Sequence, residues 1–204
     1  MGLRLNGSTS GYVELNAPAV AGTTNLSLPA TSGTVALDAT AGGLVLVKAQ
    51  QITSSASSIA VNDVFSSTYR NYRIVLENIG SNIDDSAAIQ FGNSSTNHYG
   101  NLMYIVHSST TPTYLGWTNH SRMPLVISES SADTACCSYD IYSPYLSSNY
   151  TTLSGTGYGR GYFCNGGYIY NVYSSLTGFT LLTGTVGGGN LDSGMIYVYG
   201  YRSA

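Results

Sequence analysis

Short apolar segments separated by turn residues run from residue 44 onward, and they constrain the fold more than any other feature of this sequence. The clearest is Tyr69 to Ile79, YRNYRIVLENI, in which Tyr72, Ile74 and Leu76 occupy alternate positions. A period of two is typical of a strand that buries one face. No segment carries a sustained 3.6-residue apolar stripe, so we predict an all-β fold.

Further segments of the same character are divided by clusters of Gly, Asn, Ser and Pro, which is the pattern of short strands joined by turns. Their number and spacing favour two packed antiparallel sheets, a jelly roll or a related β-sandwich. The segments are Ala87 to Phe91, Leu102 to Val106, Leu125 to Ser128, Ala135 to Tyr142, Thr151 to Gly155, Gly161 to Val172, Thr177 to Leu182 and Met195 to Tyr201.

The N-terminal part has a different character, because its apolar residues are small or isolated. TSGYVEL at 9–15 returns as TSGTVAL at 31–37, with five of seven positions identical. Strands this thin are unstable alone, so we expect them to stack on each other, on the following domain, or on copies in other subunits.

Thr40 to Gly43 reads as a flexible joint, which divides the chain into an extended N-terminal β arm, 1–43, and a β-sandwich, 44–204. Since the arm has no core of its own, we expect it to form oligomers, with a homotrimer as the predicted state. The residues expected to provide attachment and oligomerisation contacts are Tyr12, Val13, Leu15, Leu26, Leu28, Val35 and Leu37.

Charge is scarce, at 8% of residues, with one lysine and a net charge of -3. Without a basic stripe to release counterions from phosphate, a nucleic-acid partner is not expected. The first residues lack the apolar core of a signal peptide, and Leu44 to Val47 is far shorter than the roughly 20 residues of a membrane span. We therefore expect a soluble protein that is neither exported by a Sec signal nor inserted in a membrane.

Three cysteines, Cys136, Cys137 and Cys164, give neither a paired disulfide framework nor a Cys-x-x-Cys metal spacing. In a strand, the adjacent pair would point to opposite faces, so at least one should fill the core.

Catalytic chemistry has little support in the sequence. Glycoside hydrolysis needs two carboxylates that face each other across a cleft. Asp84 and Asp85 are instead adjacent in a turn, and Asp140 is the one aspartate in an apolar, strand-like setting. No Gly-x-Ser-x-Gly elbow occurs. The three histidines carry no motif and are expected on loops or sheet surfaces, although one per chain could meet an ion on a three-fold axis. We expect no catalytic residues, metal or cofactor.

Tyrosines crowd the segment from Tyr139 to Tyr173 together with Asn and many glycines. A tyrosine has a rigid apolar ring and a polar tip, which suits sugar stacking, subunit interfaces and sheet packing alike. The candidate receptor or interface residues are Tyr145, Tyr150, Tyr158, Tyr162 and Tyr168.

Two blocks resemble proteins of tailed bacteriophages. LNGSTSGYVELNAPAVAGTTNLSLPATSGTVAL, residues 5–37, resembles a segment near the N-termini of phage tail-fibre and appendage proteins, especially those of marine and cyanobacterial phages. The pair formed by Phe65 to Gly100 and Leu176 to Arg202 is similar to a C-terminal β-sandwich of phage tail or virion-surface proteins. Residues 101–175 lie outside both blocks.

The resemblance implies a noncatalytic protein of the virion surface, assembled in the host cytoplasm, whose arm attaches to other virion proteins while the sandwich faces outward. A tail-fibre or receptor-binding appendage that contacts a host glycan is the first expectation. There is almost no shaft between arm and sandwich, which keeps a capsid decoration (cement) protein as the alternative. A polysaccharide-degrading tail enzyme is a third.

Overall fold

A computed structural model describes residues 3–6, 8–16, 43–83, 87–93, 95–126, 134–159, 161–184 and 189–202. Throughout these ranges the regular elements are β-strands, which confirms the predicted all-β class. The chain divides into two compact units, 1–37 and 38–204.

The first unit contains an antiparallel hairpin of β1 (Leu3–Asn6) and β2 (Tyr12–Leu15). Arg4 lies 3.3 Å from Glu14 on the opposite strand, and its guanidinium stands 3.9 Å from the centre of the Tyr12 ring. These contacts hold the first TSGxVxL heptapeptide in a hairpin. The second heptapeptide lies outside the described residues.

The described residues of the second unit form twelve strands. They are β3 (Gly43–Ile52), β4 (Ser58–Val61), β5 (Asn71–Ser81), β6 (Ala87–Gln90), β7 (His98–Val106), β8 (Thr113–His120), β9 (Met123–Val126), β10 (Ala135–Tyr142), β11 (Thr151–Gly159), β12 (Tyr162–Tyr170), β13 (Phe179–Thr183) and β14 (Leu191–Arg202).

The twelve strands form two antiparallel sheets of unequal size. The large sheet has the order β3-β14-β5-β10-β11-β12-β7-β8, and the small sheet has the order β4-β13-β6-β9. The small sheet packs on one side of the large one, with β9 against β10, β11, β12 and β7. A β-sandwich is therefore confirmed, and each strand of the large sheet has one face toward the core and one away from it.

Alternating residues of the large sheet fill the core, as the sequence predicts for β5. Tyr72, Ile74 and Leu76 are at most 1% exposed. On β10, Cys137 is buried and Cys136 is exposed, which confirms that the adjacent cysteines point to opposite faces.

Glycines of β11 and β12 make room for two core tyrosines. A Cβ on Gly155 would lie 2.7 Å from the Tyr139 ring, and one on Gly166 would lie 2.7 Å from the Tyr168 ring. The Tyr139 hydroxyl donates a 2.7 Å hydrogen bond to the Leu125 carbonyl, which ties the large sheet to β9. Much of the Tyr- and Gly-rich composition of this region therefore serves packing.

His98 is fully buried between the sheets, so the expectation of a loop or surface position was wrong for this histidine. Its ring lies 4.9 Å from that of Tyr170. Both ring nitrogens have backbone partners, Phe91 and His120, which compensate for the loss of water.

Candidate functional site

The five tyrosines predicted as receptor or interface residues lie in three environments. Tyr162 and Tyr168 are core residues, 7% and 4% exposed, and the Tyr168 hydroxyl donates to the Pro124 carbonyl. Neither can touch a ligand directly while the sandwich is folded. Tyr145 is half-buried and packs against the core. Tyr150 and Tyr158 are exposed, and they lie on two different surfaces.

The first surface is a pair of stacked rings on two loops. Tyr150 ends the loop between β10 and β11, and Tyr173 lies in the loop between β12 and β13. Their ring centres are 4.3 Å apart with an angle of 12° between the planes. A hydrogen bond to the Tyr173 hydroxyl raises the pKa of Tyr150. We call these two residues the tyrosine pair.

Backbone hydrogen bonds hold the two loops in place. The amide of Leu176 donates to the Pro144 carbonyl at 2.9 Å, which joins the loops directly. The amide of Asn171 donates to the Asn97 carbonyl at 2.8 Å. Tyr173 nevertheless leaves 60% of its surface exposed, so an anchored ring is presented to solvent. An ordered ring loses little side-chain entropy when a ligand stacks on it.

A polar cleft begins two residues beyond Tyr173. It has a volume of about 280 Å³, and no residue in its lining carries a charge. The lining combines amide and hydroxyl side chains with backbone, and it consists of Asn62, Gly92, Asn93, Ser175, Leu176, Thr177, Gly178, Phe179 and Thr180. Such a surface can donate and accept hydrogen bonds with a neutral, hydroxyl-rich ligand.

The second surface is the side of the large sheet that faces away from the small sheet, and we call it the outer face. Strand register sets its pattern, since Cys136 lies beside Tyr158, Tyr158 beside Phe163, and Phe163 beside Ile105 on four successive strands. Large side chains on this face that remain at least 40% exposed are Leu44, Leu46, Tyr114, Tyr142, Tyr158 and Phe163.

An ion pair occupies the middle of the outer face. The Arg73 guanidinium donates to both Asp140 oxygens, at 2.7 and 2.9 Å, and the Tyr201 hydroxyl donates to the same carboxylate. The bond from Arg73 holds the pKa of Asp140 below its usual range, while burial and the bond to Asp140 raise the pKa of Tyr201 to about 12. Asp140 is therefore an ionised hydrogen-bond acceptor, which is opposite to the state a general acid needs at neutral pH.

A shallow depression of about 580 Å³ lies beside the ion pair on the outer face. Small side chains, Val75, Ser138 and Thr156, lie side by side on successive strands within it. Tyr158 and Phe163 also line it, with ring centres 5.1 Å apart. The outer face therefore has both protruding rings and a recess that could receive a side chain.

Several predicted residues lie elsewhere. Tyr12 is 55% exposed on β2, and Val13 and Leu15 belong to the same strand. The other predicted residues of the arm, Leu26, Leu28, Val35 and Leu37, lie outside the described residues, as do Asp84 and Asp85.

Neither a metal site nor a membrane-spanning helix is found in the described ranges. These contain no group of three or more His, Cys, Asp or Glu side chains that could hold an ion. Nor do they include a helix of the length and apolar character needed to cross a membrane.

The sequence did not single out Tyr173, although the tyrosine-rich segment includes it. Its stacking partner is 23 positions away, and only the folded loops bring the rings together. Phe163 was also missed, because its place beside Tyr158 depends on strand register. No protein-family model matches this chain, and no curated protein matches it either.

Proposed function

We propose that this chain is a noncatalytic protein of a tailed-phage virion surface that binds a host-cell glycan, as a tail-fibre or receptor-binding appendage does. The observation that carries the proposal is the tyrosine pair together with the uncharged polar cleft, whose lining begins at Ser175, two residues along the chain from Tyr173. Tyr173 offers an exposed ring for the apolar face of a sugar, and the cleft offers amide and hydroxyl groups for its hydroxyls.

Low charge also supports a neutral glycan as the ligand. The polar cleft has no charged lining residue, and one cation contacts the lining, since the Lys48 ammonium donates a 2.9 Å hydrogen bond to the Asn62 carbonyl. Recognition would then depend on short-range stacking and hydrogen bonds, which are weak for one site. Several copies acting together would give useful avidity, which is consistent with a homotrimeric appendage.

The virion setting is supported by the two blocks that resemble phage proteins. In this proposal the N-terminal arm attaches to other virion proteins through residues such as Tyr12, which is already exposed on β2. The sandwich then faces outward and presents its loops to the host cell.

A noncatalytic role is supported by the state of Asp140, the aspartate that the sequence places in an apolar strand. Arg73 and Tyr201 occupy its carboxylate with three hydrogen bonds. A residue bound in this way contributes an ion pair to the sheet, and it is not free to exchange protons with a substrate.

A capsid decoration protein is the second candidate, and the outer face favours it. A decoration protein must pack against other virion proteins over a broad area, and exposed apolar groups such as Leu46 and Phe163 suit protein contacts better than sugar contacts.

Binding to an immobilised array of neutral and acidic bacterial surface polysaccharides tests the proposed ligand class. The test variants are Tyr150→Ala and Tyr173→Ala, and the matched control is Tyr114→Ala, which removes a 70% exposed tyrosine from β8. We expect the wild type and the control to bind the same neutral polysaccharides. Each test variant should lose about fivefold in affinity, since stacking on one aromatic ring is worth about 1 kcal/mol.

Melting temperatures measured on the same proteins separate ligand contact from folding. The tyrosine pair is exposed, so we expect its removal to change stability little. Equal binding by wild type and both test variants would contradict the assignment of the tyrosine pair. A preference for acidic polysaccharides would contradict the assignment of a neutral ligand.

A further inference from the structure

We infer that a second copy of this chain packs on the outer face of the large sheet, so that two sandwiches associate face to face. This contact is separate from the glycan site proposed above and from the oligomer predicted for the arm. Three properties of the outer face favour this contact, namely its exposed area, its charge and its pattern of protrusions and recesses.

The exposed area of the outer face approaches that of one side of an ordinary protein interface. The six large side chains named for the outer face are 40% to 70% exposed, and they extend from β3 at one edge of the sheet to β8 at the other. Full burial of an aromatic side chain removes about 150–250 Å², and with a similar value for the two leucines the six expose about 600 Å². Half-buried Tyr197, Tyr199 and Tyr201 on β14 enlarge the apolar area further.

An interface of standard size buries about 800 Å² on each partner, and the largest apolar patch on a typical monomer is about 300–600 Å². The outer face therefore approaches the area that a stable pair requires. A small ligand would leave most of it exposed, which favours a partner as large as a second sandwich.

Charge on the outer face permits self-association. Two copies present the same charges to each other, so any unpaired cluster would repel its own copy. The central charges, Arg73 and Asp140, instead neutralise each other within one chain through two hydrogen bonds. Burying this pair leaves neither charge without its partner, which avoids the main cost of a buried ion. Glu77, which lines the depression, is a further charge on this face, and it accepts a hydrogen bond from the Tyr197 hydroxyl.

The outer face has both a protruding side chain and a depression, so two copies of it can fit against each other. Phe163 protrudes with 58% of its surface exposed, and the depression over Val75, Ser138 and Thr156 offers space for a protruding side chain. Since both copies use the same surface, the contact is isologous and closes as a two-fold pair. Sheets packed in this way lie about 10 Å apart.

Light scattering on the full chain tests this inference. The wild type should contain an even number of copies of the 21.5 kDa chain, namely two, or six where the arm also forms its predicted trimer. Leu46→Lys on β3 and Phe163→Lys on β12 each place a charge on the outer face, so each should halve the mass. Tyr173→Lys, an exposed tyrosine outside the outer face, is the matched control and should leave the mass unchanged.

Cys136 provides a second readout, because it is exposed on the outer face while Cys137 and Cys164 are buried. A thiol reagent should modify one cysteine per chain slowly in the wild type and several-fold faster in the two lysine variants.

Circular dichroism shows whether each variant is folded. Because the two lysines lie on different strands, the test can still be made if one of the variants does not fold. A wild type that is monomeric or has an odd number of copies would overturn the inference. So would lysine variants that are folded and keep the full mass.

Loss of self-association and loss of glycan binding are independent outcomes. The lysine variants should still bind polysaccharide at the tyrosine pair, with reduced avidity. The Tyr173→Ala variant should still form pairs.

Discussion

The Nε2 atom of His98 accepts a 3.1 Å hydrogen bond from the backbone amide of Phe91, which joins the first residue of β7 to the chain just after β6. Because Nε2 accepts, the proton of the neutral ring is on Nδ1, which donates to the His120 carbonyl at 3.0 Å. Burial lowers the pKa of His98. One neutral histidine thus links the large sheet to the small one.

Acid should destabilise the protein through His98. The unfolded chain binds a proton there near pH 6.5, whereas the folded protein resists protonation, so stability falls as pH drops below about 6.5. Each further pH unit costs at most about 1.4 kcal/mol until the folded-state pKa is reached. Thermal melts between pH 8 and pH 5 should show this loss in the wild type.

Two variants assign the effect to His98. His98→Gln should be less stable at pH 8, because it disrupts buried hydrogen bonds, and its melting temperature should depend less on pH. His107→Gln alters an exposed histidine and should retain the wild-type dependence. An equal dependence in wild type and His98→Gln would show that other groups control the acid response.

Gly155 should not tolerate a side chain. A Cβ there would lie 2.1 Å from the Ser138 carbonyl oxygen and 2.7 Å from the Tyr139 ring. We expect Gly155→Ala to lower the free energy of unfolding by about 3 kcal/mol, at the upper end for overpacking. Gly167→Ala on the neighbouring β12 meets nothing within 4 Å and should be neutral or stabilising by up to about 1 kcal/mol. Urea unfolding of both variants decides the matter, and equal stabilities would refute the packing of Tyr139 on β11.

The buried tyrosine hydroxyls should contribute to stability and leave binding unchanged. Tyr139→Phe removes a 2.7 Å bond to Leu125, and Tyr168→Phe removes the bond to Pro124. Each should cost about 1 kcal/mol of stability, because a buried donor to β9 is lost. Tyr158→Phe is the exposed control and should cost little. Polysaccharide binding that fell with Tyr168→Phe at full folding would return this residue to the ligand site.

Apolar residues at alternate positions of the sequence were sufficient to predict much of the sandwich. In strand β5, large apolar residues alternate with polar and apolar residues of the opposite face. The structure buries Tyr72, Ile74 and Leu76, as predicted. Strand β8 was missed because TYLGWTNH contains few apolar residues, and its neighbour β7 supplies most of its order through backbone pairing. An edge strand of this kind has little sequence signal of its own.

Contacts between segments that are far apart in the sequence could not be predicted from the sequence alone. The tyrosine pair requires two loops to meet, and the position of His98 in the core requires Phe91 and His120 to supply its hydrogen bonds. The sequence did identify the tyrosine-rich segment, but burial alone separates core residues such as Tyr168 from exposed ones such as Tyr150. Alternation cannot distinguish them, because residues on both faces of this sheet are aromatic.

Absolute quantification by mass spectrometry, on purified particles of the tailed phage that we propose encodes this chain, tests the central claim most directly. A receptor-binding appendage should be present in the particles at a few trimers, far fewer copies than the major capsid protein. Copy numbers in the tens to hundreds, in proportion to the capsid lattice, would support the decoration protein instead. Complete absence of the chain from purified particles would contradict a virion role altogether.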